Sequence, residues 1–374
     1  MSVPIYLDHA AATAVRPEVL AEHTSLCQRF VPNPHGTTRQ SEAARRAVAD
    51  AERRLLAALG VDWREAQVIW TSGGTEADNL ACAGVLCRAA PDAACLVDAG
   101  AHAAMLEPCQ RAATCGEIPL DKAGALQLDS LDWSSADLVA VCQVNNETGA
   151  VADLPRLRRA MADGGSQALL AVDAVQAVGK IPIPWREARL DLVALSARKI
   201  GGPRSVGALL VRRGVALQPL LVGGGQQRGV RAGTVDVVGA LEFASAAELA
   251  IREQEEHATH CRLLAAQIRE GVMSIPGLRI CVVSPDHAVP HIVALSLPGY
   301  EAAVLMRLLA EEDVVVGAGS ACHAESAETS HVLRAMGHDE LTARGLLRIS
   351  LGADSSAADV EALLVALRRV LRNY

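Results

Sequence analysis

An aspartate and a lysine follow two neighbouring apolar runs in the middle of the chain. Residues 169–172 lead directly into Asp173, and residues 190–195 are followed by Ser196 and Lys199. Short apolar runs of this kind are typical of buried parallel strands, and ligands of such sheets bind at the carboxyl ends of the strands. We therefore expect the acid and the amine at one sheet edge. Together they could hold pyridoxal phosphate (PLP), because a lysine forms its Schiff base and an acid keeps its pyridine nitrogen protonated.

A glycine-rich junction provides a second chemical feature. Residues 71–79 read Thr-Ser-Gly-Gly-Thr-Glu-Ala-Asp-Asn and come directly after a short apolar run. Free backbone N–H groups at a helix N-terminus, with a hydroxyl beside them, can bind phosphate. His102 and residues 145–149 also follow predicted strands. Each feature alone is common in α/β proteins, and a lone loop lysine is common too. Their convergence on one sheet edge with Asp173 and Lys199 is what favours a single site.

The elements that must position these residues alternate between apolar runs and amphipathic stretches. Up to about residue 240 this alternation predicts an α/β fold with a mostly parallel sheet and right-handed crossovers. The Ala- and Glu-rich residues 243–270 predict one long helix that leads into a second domain. We place a large domain at residues 15–247 and a smaller α+β domain at residues 1–14 and 248–374.

The small domain contains a segment that does not fit a strand or a helix. Residues 317–330 are mostly small and polar, and they surround one cysteine, Cys322. Such a composition predicts a loop. Because glycine, alanine, serine and histidine flank Cys322, a buried structural position is not the favoured interpretation. A further short strand at residues 346–351 carries Arg348.

Composition and charge narrow the class of protein. The 374 residues are 51% hydrophobic and 2% aromatic, with a formal net charge of −8. The acidic balance argues against a nucleic-acid-binding surface. No apolar run approaches the roughly 20 residues of a membrane span, and the N-terminus lacks a signal-peptide pattern. These features predict a cytoplasmic protein with no membrane partner.

Cysteine and histidine spacing does not indicate a metal site. The 10 cysteines include no CxxC pair, so most are expected to be reduced core residues. His287 and His291 are separated by Pro290, which breaks any helical ligand pair. His257 and His260 fall on a charged helical stretch, where we expect them to be solvated.

Stretches spread along almost the whole chain resemble, in order and spacing, the cysteine desulfurases of the NifS/IscS type. These enzymes belong to the fold-type I PLP enzymes, within the class V aminotransferase family. The matching stretches are residues 6–13, 71–79, 144–149, 172–176, 223–234, 319–322 and 348–352. The resemblance implies a fold-type I PLP-dependent transferase that forms a homodimer.

The resemblance also implies roles for the residues around the cofactor ring. Lys199 binds PLP covalently and later moves the α-proton of the substrate, and Asp173 pairs with the pyridinium nitrogen. His102 stacks on the ring and assists proton transfer. Asn146 and Gln176 bond the phenolic oxygen side of the cofactor.

A second set is implied for the phosphate group. It comprises Gly74, Thr75, Ser196 and Arg198, with Thr234 contributed by the second subunit. The family usually has a histidine immediately before the lysine, where this chain has Arg198. An arginine can still bind phosphate, but with a different geometry.

The resemblance implies a third set of residues, which bind the substrate and transfer its sulfur. Arg348 is implied to clamp the substrate carboxylate in a bidentate pair, with Asn33 nearby. Cys322 is implied to attack the sulfur of PLP-bound L-cysteine, which leaves a persulfide on Cys322 and releases alanine. His323 beside it either favours the thiolate or is merely solvated.

Several functional alternatives stay open. Selenocysteine lyase uses the same scaffold, and the sequence around Cys322 resembles such lyases as much as the housekeeping desulfurases. Another class V aminotransferase-like enzyme is disfavoured by Cys322, and a non-catalytic regulatory partner is disfavoured by Lys199 and Asp173. The sequence does not identify the sulfur-acceptor protein. The sulfur could serve iron–sulfur assembly, tRNA thiolation, cofactor synthesis or DNA phosphorothioate modification. The short chain after Gly352 puts an iron–sulfur scaffold partner in doubt.

Overall fold

The computed structural model describes residues 4–89, 91–275, 279–319 and 329–374. Their strands are β1 (Ile5–Tyr6), β2 (Ala66–Thr71), β3 (Ala94–Asp98), β4 (Thr114–Ile118), β5 (Leu138–Cys142), β6 (Leu169–Asp173), β7 (Leu192–Ser196), β8 (Gly207–Arg212), β9 (Cys281–Val282), β10 (Ile292–Ser296), β11 (Val314–Val315) and β12 (Leu346–Ser350). Their α-helices are α1 (Pro17–Arg29), α2 (Arg39–Ala58), α3 (Gly74–Ala89), α4 (Ala103–Gln110), α5 (Leu154–Asp163), α6 (Val237–Arg252), α7 (Gln254–Met273), α8 (Ala302–Glu311), α9 (His331–Ala335), α10 (Glu340–Arg344) and α11 (Ala357–Asn373).

The central feature is a seven-stranded sheet in the order β2-β8-β7-β6-β5-β3-β4. The strands from β4 through β7 pair in parallel, and β8 runs antiparallel to both of its neighbours. Strand β5 is buried along its whole length, as expected for a strand covered on both faces. The mostly parallel α/β fold predicted from the sequence is confirmed.

Helices cover this sheet with their apolar faces. In α2, Ala44, Ala51 and Leu55 are buried on one side, at the spacing that an amphipathic helix requires. The Thr38 side chain caps the start of α2 by accepting a hydrogen bond from the backbone N–H of Ser41. This face of α2 packs against α6.

A second apolar core is formed mainly by residues from the last third of the chain. It joins Leu7 to buried residues of α7, α8, β10, β12 and α11. Strands β9, β10 and β12 form an antiparallel sheet, and β1 pairs in parallel with β11. The N-terminal strand therefore joins the C-terminal elements. The boundaries 15–247 and 248–374 stay a prediction.

The structure corrects the long helix expected over residues 243–270. The chain forms two helices, α6 and α7, which meet at Glu253. Glu253 has φ −93° and ψ 2°, outside the helical values, although its N–H still bonds the carbonyl oxygen of Leu249, and its carboxylate is 2.7 Å from the guanidinium of Arg16. No glycine or proline marks this break, so the composition of the segment contained no signal for it.

The expectation that His257 and His260 are solvated is also wrong. His260 Nε2 lies 2.7 Å from the carbonyl oxygen of Ser355. Burial is the main reason that the pKa of His257 is lowered to about 4. The charged residues around them suggested a solvated helix face, but α11 and its N-terminal turn cover that part of α7.

None of the helices in the described ranges is long and apolar enough to cross a membrane.

Candidate active site

The carboxyl ends of six strands lie at one edge of the large sheet, since only β8 runs in the opposite direction. The register places Thr71 and Ser196 on either side of Gly207, and Asp173 between Cys142 and Ala194. Because side chains and turns at these ends share one edge, the positions predicted from separate apolar runs come together.

Lys199 lies one short turn after β7. Its Nζ donates hydrogen bonds to the carbonyl oxygens of Ala10 and Ala11, both at 2.7 Å. Its pKa is lowered to about 8, first by loss of solvent and then by the positive charges of Arg348 and Arg198. A larger fraction of this amine is unprotonated at neutral pH than in an ordinary lysine, which favours nucleophilic attack on an aldehyde.

Asp173 is the last residue of β6 and is buried. One carboxylate oxygen accepts a hydrogen bond from the backbone N–H of Val175 at 2.8 Å, and the other faces the Cys142 thiol, whose Sγ is 3.8 Å away. Burial raises the pKa of Asp173, while His102 and Lys199 act in the opposite direction. A cation placed against this carboxylate would compensate its burial, which is what a protonated pyridine nitrogen provides.

His102 caps the start of α4 at the end of β3. Its Nδ1 accepts the backbone N–H of Ala104 at 3.1 Å, so the ring proton of the neutral form is on Nε2. Burial is the main cause of its lowered pKa, which the nearby Asp173 partly offsets. His102 is therefore a neutral imidazole within electrostatic reach of Asp173 and Lys199.

The glycine-rich turn between β2 and α3 is sterically fixed. A methyl group on Gly74 would lie 2.8 Å from Cγ2 of Val175, and one on Gly207 would lie 2.4 Å from the backbone of Gly73. Only glycine fits these close approaches of backbone to neighbouring atoms. Thr75 lies in the first turn of α3 and is exposed, so its hydroxyl and the helix N–H groups can face a phosphate.

Ser196 and Arg198 flank Lys199 at this edge. Ser196 is buried, whereas the side chain of Arg198 is exposed and its carbonyl oxygen accepts two hydrogen bonds from Thr13.

Thr234 lies in an exposed loop, where its hydroxyl is 3.5 Å from Nδ2 of Asn33 in the same chain. Asn33 therefore contacts Thr234, whereas Arg348 bonds a different set of residues.

Gln176 offers a free acceptor. Its Nε2 donates to the carbonyl oxygen of Ala10 at 2.9 Å, and its buried Oε1 has no partner within residues 4–89, 91–275, 279–319 and 329–374. A buried acceptor without a donor is costly, so it marks a place where a ligand donor fits. With Lys199, Asp173 and the Gly74 turn, this orphaned atom makes the residues present fit PLP.

Arg348 is 2% exposed, and its guanidinium bonds residues from three other segments of the chain. Its guanidinium bonds the carboxylate of Asp8 at 2.7 Å and the carbonyl oxygens of Asn146 and Gly319 at 2.9 and 3.2 Å. Its Nε is buried without a partner in the part of the chain that is described. A methyl group on Gly317 would lie 2.7 Å from this guanidinium, so glycine is required there. The orphaned Nε leaves one N–H for a ligand carboxylate.

Cys322 and His323 lie outside the described residues. The positions on either side of residues 320–328 are each held by a buried charged side chain. Arg348 bonds the carbonyl oxygen of Gly319, and the carboxylate of Glu147 accepts a hydrogen bond from the hydroxyl of Ser330. By sequence, Cys322 is three residues beyond Gly319.

Sequence reasoning assigned no role to Asp8, to the Ala10 and Ala11 carbonyls, or to Glu147. Residues 6–13 and 144–149 were both among the matching stretches, so a signal for their importance was present. Their actual contacts depend on chain segments far apart in sequence, such as the Asp8–Arg348 ion pair. No local pattern could have paired them.

Comparison with known proteins identifies the family. The profile of the class-V aminotransferases matches residues 5–363. The chain belongs to the class-V aminotransferase family. Members of this family are PLP-dependent enzymes.

Its relatives within the class-V aminotransferases are cysteine desulfurases. The chain is 35% identical over 372 residues to a cysteine desulfurase of Cereibacter sphaeroides, which covers 97% of this chain and 94% of the relative. It superposes on the solved structure of a NifS-like protein with a TM-score of 0.90 and 28% identity, covering 99% and 100% of the two chains. It also resembles the structure of SspA in complex with cysteine, with a TM-score of 0.77, 26% identity and coverage of 92% and 98%. The NifS/IscS resemblance seen in the sequence is confirmed.

Proposed function

We propose that this protein is a PLP-dependent L-cysteine desulfurase. The observation that carries the proposal is the placement of the Lys199 amine and the buried Asp173 carboxylate at one sheet edge, in a chain 35% identical to a cysteine desulfurase. The Gly74 turn and the free acceptor of Gln176 support the same cofactor.

Bound PLP supplies an electron sink for the bond-breaking steps. Lys199 holds it covalently and then carries the α-proton of cysteine on Nζ. Asp173 keeps a proton on the pyridine nitrogen, and Asn146 and Gln176 bond the phenolic oxygen side of the cofactor. Ser196, Thr75 and Arg198 bind the phosphate, with Thr234 added by the partner in a homodimer.

Arg348 orients the cysteine carboxylate through its free N–H group, and Asn33 assists if the dimer brings it near. The thiolate of Cys322 attacks the substrate sulfur, so that an S–S bond forms and the C–S bond breaks. The electron pair goes to the β-carbon of the substrate, which takes through His102 the proton that the substrate thiol gives up. Lys199 returns its proton to the α-carbon, and alanine leaves. The persulfide on Cys322 passes to a sulfur-acceptor protein, which we infer acts in the cytoplasm with this enzyme.

Selenocysteine lyase is the second candidate, because the residues that follow Cys322 resemble such lyases as much as the housekeeping desulfurases. Incubation with cysteine or selenocysteine, followed by measurement of alanine, separates the two. A desulfurase gives about one alanine per subunit from cysteine without reductant, and many with a thiol reductant that removes the persulfide. Alanine from selenocysteine alone would establish the lyase instead.

A further inference from the structure

Side chains of α1 and α6 form a hydrogen-bonded chain outside the candidate active site. His23 and Cys27 are four residues apart on α1, so they lie on the same face of that helix. Nε2 of His23 is 3.5 Å from Sγ of Cys27, and Nδ1 of His23 is 2.7 Å from Oε1 of Glu242 on α6. The imidazole therefore joins a thiol to a carboxylate through its two ring nitrogens.

The two ends of this chain differ in their exposure to solvent. Cys27 is exposed, and the side chain of His23 is 54% exposed, whereas that of Glu242 is 4% exposed. No lysine or arginine of the described ranges forms an ion pair with Glu242, so His23 is the base that compensates the burial of this carboxylate. The carboxylate end is thus fixed inside the protein, and the thiol end is accessible to a solute.

The contact with Glu242 determines which nitrogen of His23 carries the proton. A carboxylate oxygen only accepts hydrogen bonds, so Nδ1 of His23 donates. In the neutral ring, Nε2 then has a lone pair and accepts the thiol hydrogen of Cys27. Nucleophilic cysteines and serines are activated in this way, because the imidazole takes the proton while the carboxylate orients the ring and stabilises its positive charge.

A second cysteine–histidine pair shows that helical spacing alone does not produce this arrangement. Cys261 and His257 are also four residues apart, on α7, with Sγ 3.6 Å from Nε2. Cys261 is buried, and its burial raises the pKa of the thiol to about 12. Within the part of the chain that is described, no carboxylate bonds the ring of His257. Accessibility and an orienting carboxylate are therefore specific to Cys27.

We propose that Cys27, with His23 as its base and Glu242 as the positioning residue, is a modification site for small soluble disulfides such as glutathione disulfide. The Cys27 thiolate attacks one sulfur of the disulfide, so that a new S–S bond forms with Sγ and the original S–S bond breaks. The electron pair goes to the departing sulfur, which takes the Cys27 proton from Nε2 of His23 and leaves as a thiol. Cys27 is oxidised and the departing half is reduced, so the disulfide is the only co-reactant. The reaction uses neither PLP nor Cys322, and its test is independent of desulfurase activity.

Mass spectrometry of the PLP-loaded enzyme tests the proposal. The protein is incubated with glutathione disulfide at pH 7 for a series of short times, quenched with acid and digested, and the glutathione bound to each cysteine is quantified. Cys87 is the internal reference, because it is exposed like Cys27 but no histidine of the described residues contacts its thiol. Cys27 should be modified at least tenfold faster than Cys87. Equal rates at these two exposed thiols would overturn the proposal.

Substitution of the histidine tests the source of the reactivity. His23→Gln removes the base and retains a polar side chain at a half-exposed position, where folding tolerates the change. The rate at Cys27 should fall at least tenfold, toward that at Cys87. The matched control His35→Gln, at another exposed histidine, should leave the rate unchanged. An undiminished rate at Cys27 in His23→Gln would contradict the assignment, because exposure alone would then explain the reaction.

Substitution of the carboxylate tests the positioning role. Glu242→Gln retains the shape of the side chain but not the charge that stabilises the protonated ring of His23. The rate at Cys27 should fall several-fold, while the rate at Cys87 in the same sample stays constant and shows that the fold is intact. A constant rate at both cysteines would remove Glu242 from the site, and the result with His23→Gln decides the proposal even if Glu242→Gln fails to fold.

Discussion

The amine of Lys199 is where burial changes reactivity most directly. Its lowered pKa of about 8 predicts how apoenzyme combines with PLP. The rate of covalent attachment should rise with pH and level off above about 8, since the amine is then unprotonated. With an ordinary lysine, whose pKa is about 10.4, the rate would continue to rise up to about that pH. Stopped-flow absorbance measures the rate, and borohydride reduction followed by peptide mapping identifies the residue.

Mapping provides the control for this prediction. The adduct should be on the peptide of Lys199. An adduct on Lys122 or Lys180, or a rate still rising at pH 10, would remove Lys199 from its proposed role.

The proposed role of Arg348 in binding the substrate carboxylate can be tested by a conservative substitution. Arg348→Lys retains the positive charge but loses the planar fork that reaches Asp8 and the Asn146 and Gly319 carbonyls. We expect kcat/KM for cysteine to fall at least tenfold, about 1.4 kcal/mol. Steady-state alanine assays check this, with Arg344→Lys, at an exposed position of α10, as the matched control. Unchanged kinetics would exclude Arg348 as the carboxylate ligand.

At the level of single residues, the sequence predicted positions better than partners. The positions of Asp173 and Lys199 could be predicted because each follows an apolar run. The carboxyl ends of parallel strands lie at the same edge of a sheet, so residues that follow such strands are expected there. The pairing of Arg348 with Asp8 could not be predicted, since 340 residues separate them along the chain. Close approaches of this kind are set by packing between the two cores.

The turn from β2 into α3 leads to a prediction at the level of an element. Gly74→Ala would bring a methyl group to 2.8 Å from Cγ2 of Val175, so the turn or the connection after β6 must shift. We expect PLP to dissociate at least several-fold faster, while the melting temperature of the apoenzyme changes little. Dialysis with absorbance of the released cofactor measures this loss.

A compensating variant provides the control for Gly74→Ala. Val175→Ala removes the clashing Cγ2 atom, so Gly74→Ala with Val175→Ala should recover much of the PLP affinity. If the double variant loses PLP as fast as Gly74→Ala, contact with Val175 is not the cause.

Element boundaries followed local signals where these existed. Pro17 starts α1 and Thr38 caps α2, as residue preferences at helix starts require. The junction of α6 and α7 has no such residue, and at this junction Glu253 pairs with Arg16 from the N-terminal segment. A long-range ion pair of this kind leaves no trace in local composition.

Across the whole molecule, the buried histidines between α7 and β10 make stability depend on pH. His257 has a folded pKa of about 4, lowered by burial and by Lys180, His260, Arg16 and His9 in that order. Its unfolded value is near 6.5, so between these values only the unfolded chain takes up the proton. Stability should therefore fall as the pH drops from 6.5 to 4, by on the order of 2 kcal/mol from this residue.

Melting temperatures of wild type and His257→Gln at pH 7 and 5 test this linkage. The wild type should lose more stability between the two values than the variant does. His35→Gln, at an exposed histidine, should behave as the wild type. An identical pH dependence in His257→Gln would show that this imidazole does not carry the effect.

The central claim is sulfur transfer to Cys322, and mass spectrometry tests it most directly. The wild-type enzyme is incubated with L-cysteine, digested, and the peptide containing Cys322 is weighed before and after reduction. Our account predicts one additional sulfur on that peptide, lost on reduction, with one alanine released for each sulfur added. Alanine release with no sulfur on the Cys322 peptide, or undiminished release by Cys322→Ala, would contradict it.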